Sequence, residues 1–367
     1  MKKSSMLQND MLPVDIVLHP SWWFHHAGIT FDEDFYYHPK KRVEVERKME
    51  KTLYDRWGEY GLGQDHKRDI PQLGAVHLAA GFLLSEMLGC QVDYQEDTAP
   101  QVIEAQREHL EIEPEKAFNS PAFKRFESLM NALKVRYGYV QGDVNWGGIL
   151  NIALDVRGQQ IFIDMFDKPQ QLQRFLGGIA QVIEEFVTGV AHETGTSSIS
   201  VNRNIRNIPT PVYLHSECSH TMISVGDYEN YLLPFDVAWS KRHRPYGIHY
   251  CGSDPHRYAE SFAKIPHLDF LDVGWGGDVK TLRQQLPHTF LNIRLNPVNI
   301  ASQSVSEIRD TITRLVKDSE NPWLTGICCI NMDHQVSDDK ITAIFQTVVE
   351  LRAKHIRDHS ARDRNRP

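Results

Sequence analysis

The sequence lacks the features that define several large classes of protein. No apolar run approaches the ~18 residues that a membrane-spanning helix needs. Lys and Arg number 40 against 48 Asp and Glu, so the net charge is −8, whereas a nucleic-acid-binding protein usually has a basic surplus. We therefore expect a soluble protein whose partners are neither membranes nor nucleic acids.

Cysteine is also scarce, with five residues in a chain of 367. An odd count in a long chain is a poor framework for disulfides and favours a reducing compartment. Residues 1–13 contain no long apolar core and do not resemble a signal peptide, so we expect a cytoplasmic protein. Neither Gly-x-Gly-x-x-Gly after the first strand nor Gly-x-x-x-x-Gly-Lys-Ser/Thr occurs, which argues against the common nucleotide-binding folds.

What the sequence does contain is an alternation of short β-like runs with longer helical patterns, which predicts parallel βαβ units. The predicted strands cover residues 15–22, 138–145, 212–218, 246–251, 268–273, 289–295 and 324–330. The predicted helices include residues 40–60, 73–88, 120–137, 168–193, 227–241, 255–264, 304–318 and 337–357. With an eighth strand near 197–202, these units predict an α/β fold, a single (β/α)₈ TIM barrel, in preference to an open doubly wound sheet.

No repeat, low-complexity run or Pro/Gly/Ser linker divides the chain, so we expect one barrel domain over residues 14–357. In this prediction residues 1–13 form a flexible N-terminus and residues 358–367 a polar tail. The long and mostly helical stretch 24–119 is interpreted as an insertion or cap near the barrel mouth.

Histidine is abundant, with 18 residues, and one of them lies beside a cysteine in the most informative segment, residues 246–253. His249 and Cys251 are two residues apart in a predicted strand, so their side chains point to the same face. They lie at the C-terminal end of that strand, where barrel enzymes have their active sites. A thiolate and an imidazole on one face form half of a Zn²⁺ site.

The third ligand of such a site has three candidates. Cys328 and Cys329 are adjacent in the last predicted strand, and neighbouring strand residues face opposite ways, so only one of them can normally reach the same ion. Cys218, at the end of the strand predicted over 212–218, is an alternative to that pair. Three protein ligands with an open fourth position are typical of catalytic zinc, which keeps a bound thiol as a thiolate or a bound water as hydroxide.

Other polar residues follow predicted strands and are expected near the barrel mouth. His215 and Glu217 share a strand face, and Glu217 is a candidate fourth ligand or general acid or base. Arg294 is the best candidate to hold an anionic substrate group, because its guanidinium is a planar bidentate fork. A further catalytic candidate is Asp272, and the other candidates for substrate binding are Asn296, Asp143, Trp23 and His25. Each of these also has an ordinary structural interpretation, as a helix cap or as part of the core.

Six segments between residues 142 and 354 occur in the order and spacing of a known family. They are Ile-Phe-Ile-Asp-Met-Phe-Asp-Lys-Pro at 161–169, Tyr-Glu-Asn-Tyr-Leu-Leu-Pro-Phe at 228–235, His-Tyr-Cys-Gly at 249–252, Phe-Leu-Asp-Val-Gly-Trp at 270–275, Asn-Ile-Arg-Leu-Asn-Pro at 292–297, and the Cys-Cys strand with its following helix. In these segments the chain resembles the uroporphyrinogen decarboxylase superfamily. The resemblance implies a single (β/α)₈ barrel, in agreement with the strand–helix pattern.

The resemblance also implies one of two activities. The decarboxylase branch uses no metal and has an Arg-rich stretch after its first strand, whereas residues 19–28 here contain no arginine. The cobamide-dependent methyltransferase branch has a His-x-Cys…Cys zinc motif, which His249, Cys251 and Cys329 resemble, with Cys328 as the alternative third ligand. That branch implies zinc and a corrinoid-carrying partner protein, and the dimers of decarboxylase relatives make a homodimer an expectation here as well.

We therefore expect a zinc-dependent methyltransferase that moves a methyl group between a corrinoid, or another methyl donor, and a thiol-type acceptor activated on zinc. The alternative is a metal-free decarboxylase acting on a different carboxylated substrate, for which Arg294, Arg203 and Arg206 would have to converge. A third hypothesis is a non-catalytic or corrinoid-binding partner protein that has the barrel only, and it predicts that the candidate ligands do not converge in space.

Overall fold

The computed structural model describes residues 7, 10–65, 68–74, 81–142, 144, 146–195 and 210–364, with side chains up to residue 358. The strands are β1 (Val14–Leu18), β2 (Gln91–Asp93), β3 (Gln101–Ile103), β4 (Tyr213–Ser216), β5 (Tyr246–His249), β6 (Phe270–Val273), β7 (Phe290–Leu295) and β8 (Thr325–Met332). The helices are α1 (Pro20–Ala27), α2 (Glu33–Tyr37), α3 (Pro39–Trp57), α4 (Leu83–Met87), α5 (Pro114–Phe118), α6 (Pro121–Tyr137), α7 (Ile149–Arg157), α8 (Gln160–Asp167), α9 (Pro169–Thr194), α10 (Val225–Tyr231), α11 (Leu233–Arg242), α12 (Ala259–Phe262), α13 (Val279–Gln285), α14 (Pro297–Ser302), α15 (Val305–Asp318) and α16 (Asp338–Arg364).

Six of the strands form one curled parallel sheet in the order β1-β8-β7-β6-β5-β4, so the first strand of the chain pairs with the last. Nearly every residue in these strands is buried, as expected for parallel strands that are covered on both faces. The five strands predicted after residue 212 are confirmed as β4 to β8. Strands alternating with helices therefore form an α/β fold, as the sequence pattern predicts.

A closed eight-stranded barrel requires two more strands between β1 and β4. The described residues of that stretch contain one isolated parallel bridge, between Gln72 and Gln141, at the position of the strand predicted over 138–145. The strand predicted near 197–202 lies outside the described residues. β2 and β3 form a separate antiparallel hairpin, which the sequence did not predict. The architecture shown is thus a six-stranded half-barrel, and the full barrel stays a prediction.

The strand predicted over 15–22 is wrong in its second half. β1 ends at Leu18, and α1 begins at Pro20 because His19 caps it: His19 Nδ1 accepts the backbone N–H of Ser21 at 3.1 Å. Proline at the start of a helix loses no hydrogen bond there and has the right φ. Trp23 and His25, which were predicted to follow the end of this strand, consequently lie on α1.

Several predicted helices also differ from the structure. The helix predicted over 227–241 is two helices, α10 and α11, because Pro234 at the start of α11 cannot donate the hydrogen bond that would continue α10. Of the helix predicted over 73–88, the described residues show only α4, and residues 75–80 lie outside the description. Residues 255–264 form a 3₁₀ turn, Pro255–Tyr258, followed by α12. The remaining predicted helices agree in position with α3, α6, α9, α15 and α16, except that α16 continues to Arg364, seven residues into the predicted tail.

The sheet brings the C-terminal ends of its six strands to one edge, because all of them run parallel. Polar residues at this edge are buried, among them His215, His249, Asp272 and Arg294. Within the described ranges, no helix combines the length and the apolar character needed to cross a bilayer.

Candidate metal centre

Three side chains meet at the C-terminal edge of the sheet. Cys218 follows β4 and begins a 3₁₀ turn, His249 is the last residue of β5, and Cys251 lies two residues further along. β4 and β5 are hydrogen-bonded neighbours with Ser216 opposite His249, so the two strand ends lie side by side. One ligand atom from each of the three residues lies within 4.8 Å of the other two.

The donor atoms of this group fit a soft metal ion. Cys251 Sγ lies 2.9 Å from Cys218 Sγ and 2.9 Å from His249 Nε2. Zinc binds sulfur at ~2.3 Å and imidazole nitrogen at ~2.0 Å, so donors this close to one another can reach a single ion. Two thiols and an imidazole are also the donor types that zinc prefers. The described residues therefore contain a Cys₂His group that could hold a metal ion.

A buried carboxylate lies behind the histidine of this group. His249 Nδ1 is hydrogen-bonded to Asp272, whose other oxygen accepts from Asn292 Nδ2 at 3.4 Å, and all three side chains are buried. The bond holds one ring proton on Nδ1, so Nε2, which faces Cys251, is the nitrogen that a metal would take once its own proton is lost. Burial alone would lower the pKa of His249, but the charges of Cys251 and Asp272 raise it to about 9. Metal binding here would therefore release a proton from His249.

A buried cation lies on the sulfur side of the group. Arg294 Nη1 is 3.4 Å from Cys251 Sγ and 3.3 Å from His249 Nε2, and the guanidinium lies 5.0 Å from the ring centroid of Trp275. The hydrogen bond from Cys218 lowers the pKa of the Cys251 thiol well below its usual range; burial opposes this shift, and His249 and Arg294 reinforce it. The pKa of Cys218 is raised, because it keeps the proton that the two sulfurs share. Of the two thiols, Cys251 is therefore the one whose surroundings favour the thiolate form.

The group does not include Cys328 or Cys329, the preferred third ligands, and contains instead Cys218, the alternative that the sequence left open. Cys329 Sγ contacts the carbonyl oxygen of Leu295 at 3.8 Å. Cys328 Sγ lies 3.8 Å from Asp272 Oδ1, so it stands behind His249 rather than beside Cys251. The reason is strand order, because β7 and β6 separate β8 from β5, whereas β4 is adjacent to β5. Burial raises the pKa of both thiols, that of Cys329 to about 12, so neither is a thiolate at neutral pH.

His215 and Glu217, the predicted catalytic pair, contact the first turn of α7. Glu217 accepts backbone N–H groups from Leu150 at 2.7 Å, Asn151 at 3.2 Å and Ser219 at 3.1 Å. His215 Nε2 accepts the backbone N–H of Ile149 at 3.3 Å. Burial raises the pKa of Glu217 to about 7. These bonds fix the chain on both sides of Cys218, and a catalytic role for the pair stays a prediction.

Sequence reasoning missed Asp236, which organises the residues around His215. Its carboxylate accepts from Tyr228 Oη at 2.6 Å and Tyr246 Oη at 2.5 Å, and His215 Nδ1 lies 2.7 Å away. Burial would raise the pKa of Asp236, but the charge and hydrogen bond of His215 hold it below its usual range. The available signal was an acidic residue within an otherwise apolar helix sequence, Leu-Pro-Phe-Asp-Val-Ala-Trp at 233–239.

Among the described residues predicted to bind substrate, those other than Arg294 make their contacts outside the Cys₂His group. Asn296 Oδ1 caps α14 by accepting the backbone N–H of Val298 at 2.9 Å. Trp23 is buried in the core. His25 is exposed, and its ring centroid lies 4.4 Å from that of His334. Asp143 lies outside the described residues. Substrate binding by these four residues stays a prediction.

No protein-family profile and no curated protein matches the chain. Solved structures do match it over nearly its whole length. A methyltransferase from Methanosarcina mazei has a TM-score of 0.63 at 12% identity, covering 93% of this chain and 94% of the other. A B12-independent methionine synthase from Shewanella sp. W3-18-1, solved in complex with selenomethionine, has a TM-score of 0.51 at 11% identity, covering 96% of this chain and 99% of the other. At these identities the likeness shows that the chain shares their fold.

Proposed function

We propose that the chain is a zinc-dependent methyltransferase that moves a methyl group to a thiol acceptor. The observation that carries the proposal is the group of Cys218, His249 and Cys251, with Asp272 bonded to the far side of the imidazole. Two soft donors and an oriented imidazole leave the fourth position of a tetrahedral ion to a substrate, which is the plan of a catalytic zinc site. A zinc ion held there supplies a Lewis acid that keeps a substrate thiol in its nucleophilic thiolate form at neutral pH.

The chain's own residues have distinct parts in this proposal. Asp272 fixes the tautomer and orientation of His249. Glu217 ties the chain before Cys218 to the start of α7, so that the sulfur is held in place by a buried helix terminus. Arg294 stabilises negative charge on Cys251. Together they preorganise the ligands, and a preorganised site loses less free energy on binding.

The names of the two solved structures support methyl transfer. One is a methyltransferase and the other a methionine synthase, and methionine is a methyl thioether. The second is described as B12-independent, so a corrinoid is one of two kinds of methyl donor to test. We propose a methylated corrinoid, presented by a partner protein, as the donor, with another methylated compound as the alternative.

Metal analysis together with a methyl-transfer assay tests the proposal. Protein purified without chelators should contain about one zinc per chain, as a single mononuclear site requires. It should then transfer methyl from methylcobalamin to a simple thiol. The double variant His249→Ala/Cys251→Ala should lose both zinc and activity. Cys90→Ala should keep both, because Cys90 is a buried cysteine outside this group whose Sγ contacts the carbonyl oxygen of Asp155. Absence of stoichiometric zinc from the wild-type protein would refute the proposed function.

The metal-free decarboxylase remains the alternative, and it predicts a pocket in which several arginines hold carboxylates. Arg294 is buried at the sheet edge, but its Nη1 contacts a sulfur and an imidazole. Arg203 and Arg206 lie outside the described residues. The same metal analysis separates the two functions, because the decarboxylase needs no zinc.

A further inference from the structure

Arg294 is a buried cation that is hydrogen-bonded to no described carboxylate, although the negative charge of Asp272 also acts on it. Its side chain is 2% exposed, and its Nε has no hydrogen-bond partner within the described part of the chain. No described Asp or Glu oxygen lies within ion-pair distance of its guanidinium. The groups it does contact are Cys251 Sγ, His249 Nε2 and the face of Trp275. A buried charge is costly unless anions compensate it, so negative charge on Cys251 Sγ stabilises this cation together with the charge of Asp272.

A charge count for the site with zinc bound indicates what this cation would do. Zinc and two cysteine thiolates cancel, and the charges of Asp272 and Arg294 cancel each other, so the resting group is neutral. A substrate thiol that binds as its thiolate, with its proton lost to solvent, brings the group to −1. Without Arg294 the same step would bring it to −2 in a buried place, where like charges are weakly screened. A neutral ligand leaves the charge unchanged in either case.

We propose that Arg294 is the positioning residue that makes this site selective for an anionic sulfur ligand over a neutral one. The inference rests on the proposed function and goes beyond it, because it assigns the discrimination to a residue that is not a metal ligand. It also differs from the expectation that Arg294 grips an anionic arm of the substrate. The described Nη1 contacts are to Cys251 and His249, so the charge of the guanidinium lies beside the metal ligands, where a substrate thiolate would bind, and not at a more distant part of the substrate.

Two ligands that differ in charge test the proposal on protein loaded with Co²⁺, whose visible absorption reports what occupies the fourth position. 2-Mercaptoethanol binds as an anion and imidazole binds neutral. In Arg294→Gln the affinity for 2-mercaptoethanol should fall about tenfold or more, as expected for one buried charge, while that for imidazole changes less than about twofold. Arg294→Lys keeps the charge but loses the planar guanidinium that stacks on Trp275. Its affinity for 2-mercaptoethanol should lie between those of the wild-type protein and Arg294→Gln.

Trp275→Leu gives a second variant that leaves all three ligands and the charge in place. It removes the ring that holds the guanidinium, so thiol affinity should fall while imidazole affinity stays. This variant decides the question if Arg294→Gln does not fold. Equal losses for both ligands, or no loss for either, would overturn the role of Arg294. If the wild-type protein binds neither Co²⁺ nor thiol, the proposed function itself fails and the inference falls with it.

Discussion

Replacing Asp272 with Asn removes one negative charge from the metal centre and keeps the shape of the side chain. In the wild-type protein the Asp272 carboxylate holds the Nδ1 proton of His249 and accepts from Asn292. An amide can present only one acceptor oxygen, so the variant cannot satisfy both donors. The imidazole then loses its fixed tautomer and some of its basicity, and both determine how well Nε2 binds a metal.

The size of the effect follows from burial. Asp272 and His249 are both fully buried, so solvent does not screen their interaction. Removing such a partner of a metal-binding histidine typically costs about 10–100-fold in metal affinity, which is about 1.4–2.8 kcal/mol. We expect Asp272→Asn in the upper half of that range.

Competition with a chromophoric zinc chelator measures the affinity directly. Asp254→Asn is the matched control, because Asp254 lies three residues after Cys251 and its carboxylate accepts from Tyr250 Oη rather than from His249. The control should bind zinc as the wild-type protein does. Wild-type affinity in Asp272→Asn, or equal losses in both variants, would refute the idea that Asp272 orients His249 for a metal.

Two further predictions concern stability. Burial raises the pKa of Asp155 to about 6, so the folded state retains its proton longer than the unfolded state does, and stability falls as pH rises from about 4 to about 6. Asp155→Asn should remove this loss of ~2–3 kcal/mol, so the variant should be more stable than the wild-type protein at pH 7 but not at pH 4. Urea denaturation at both pH values measures the difference. Equal pH dependence of stability in the two proteins would contradict this role of Asp155. Glu217→Gln should lower the free energy of unfolding by about 1–3 kcal/mol at pH 8, since one of the backbone N–H groups at the start of α7 loses its acceptor. The exposed control Glu185→Gln should leave stability unchanged, and the same result for Glu217→Gln would show that Glu217 does not anchor α7.

The sequence predicted those parts of the fold and site that depend on local periodicity. His249 and Cys251 are two residues apart, and the period of a strand predicted that their side chains share one side. β5 ends at His249, but Cys251 two residues later still lies beside the imidazole. The alternation of strands and helices after residue 212 likewise predicted β4 to β8 correctly. The strand over 15–22 went wrong because apolar Trp22 and Trp23 continue the β-like pattern, while His19 and Pro20 supply a helix start that outweighs it.

The third cysteine could not be chosen by periodicity, because Cys218, Cys328 and Cys329 all lie at or near the ends of predicted strands. The choice depends on which strand lies next to β5, and β4 is that neighbour. Consecutive strands are usually adjacent in space, so chain order favours Cys218, and the family resemblance was the reason for preferring Cys329. Asp236 was missed for a similar reason, since its contacts with Tyr246 and His215 join a helix to two strands.

The central claim is that Cys218, His249 and Cys251 form one metal site. Zinc stoichiometry and affinity in Cys218→Ser and Cys329→Ser, the same substitution at two cysteines, test it most directly. We predict that Cys218→Ser binds zinc at least about tenfold more weakly, because a hydroxyl replaces a thiolate donor, and that Cys329→Ser keeps wild-type zinc content. Loss of zinc from Cys329→Ser with retention in Cys218→Ser would contradict the claim.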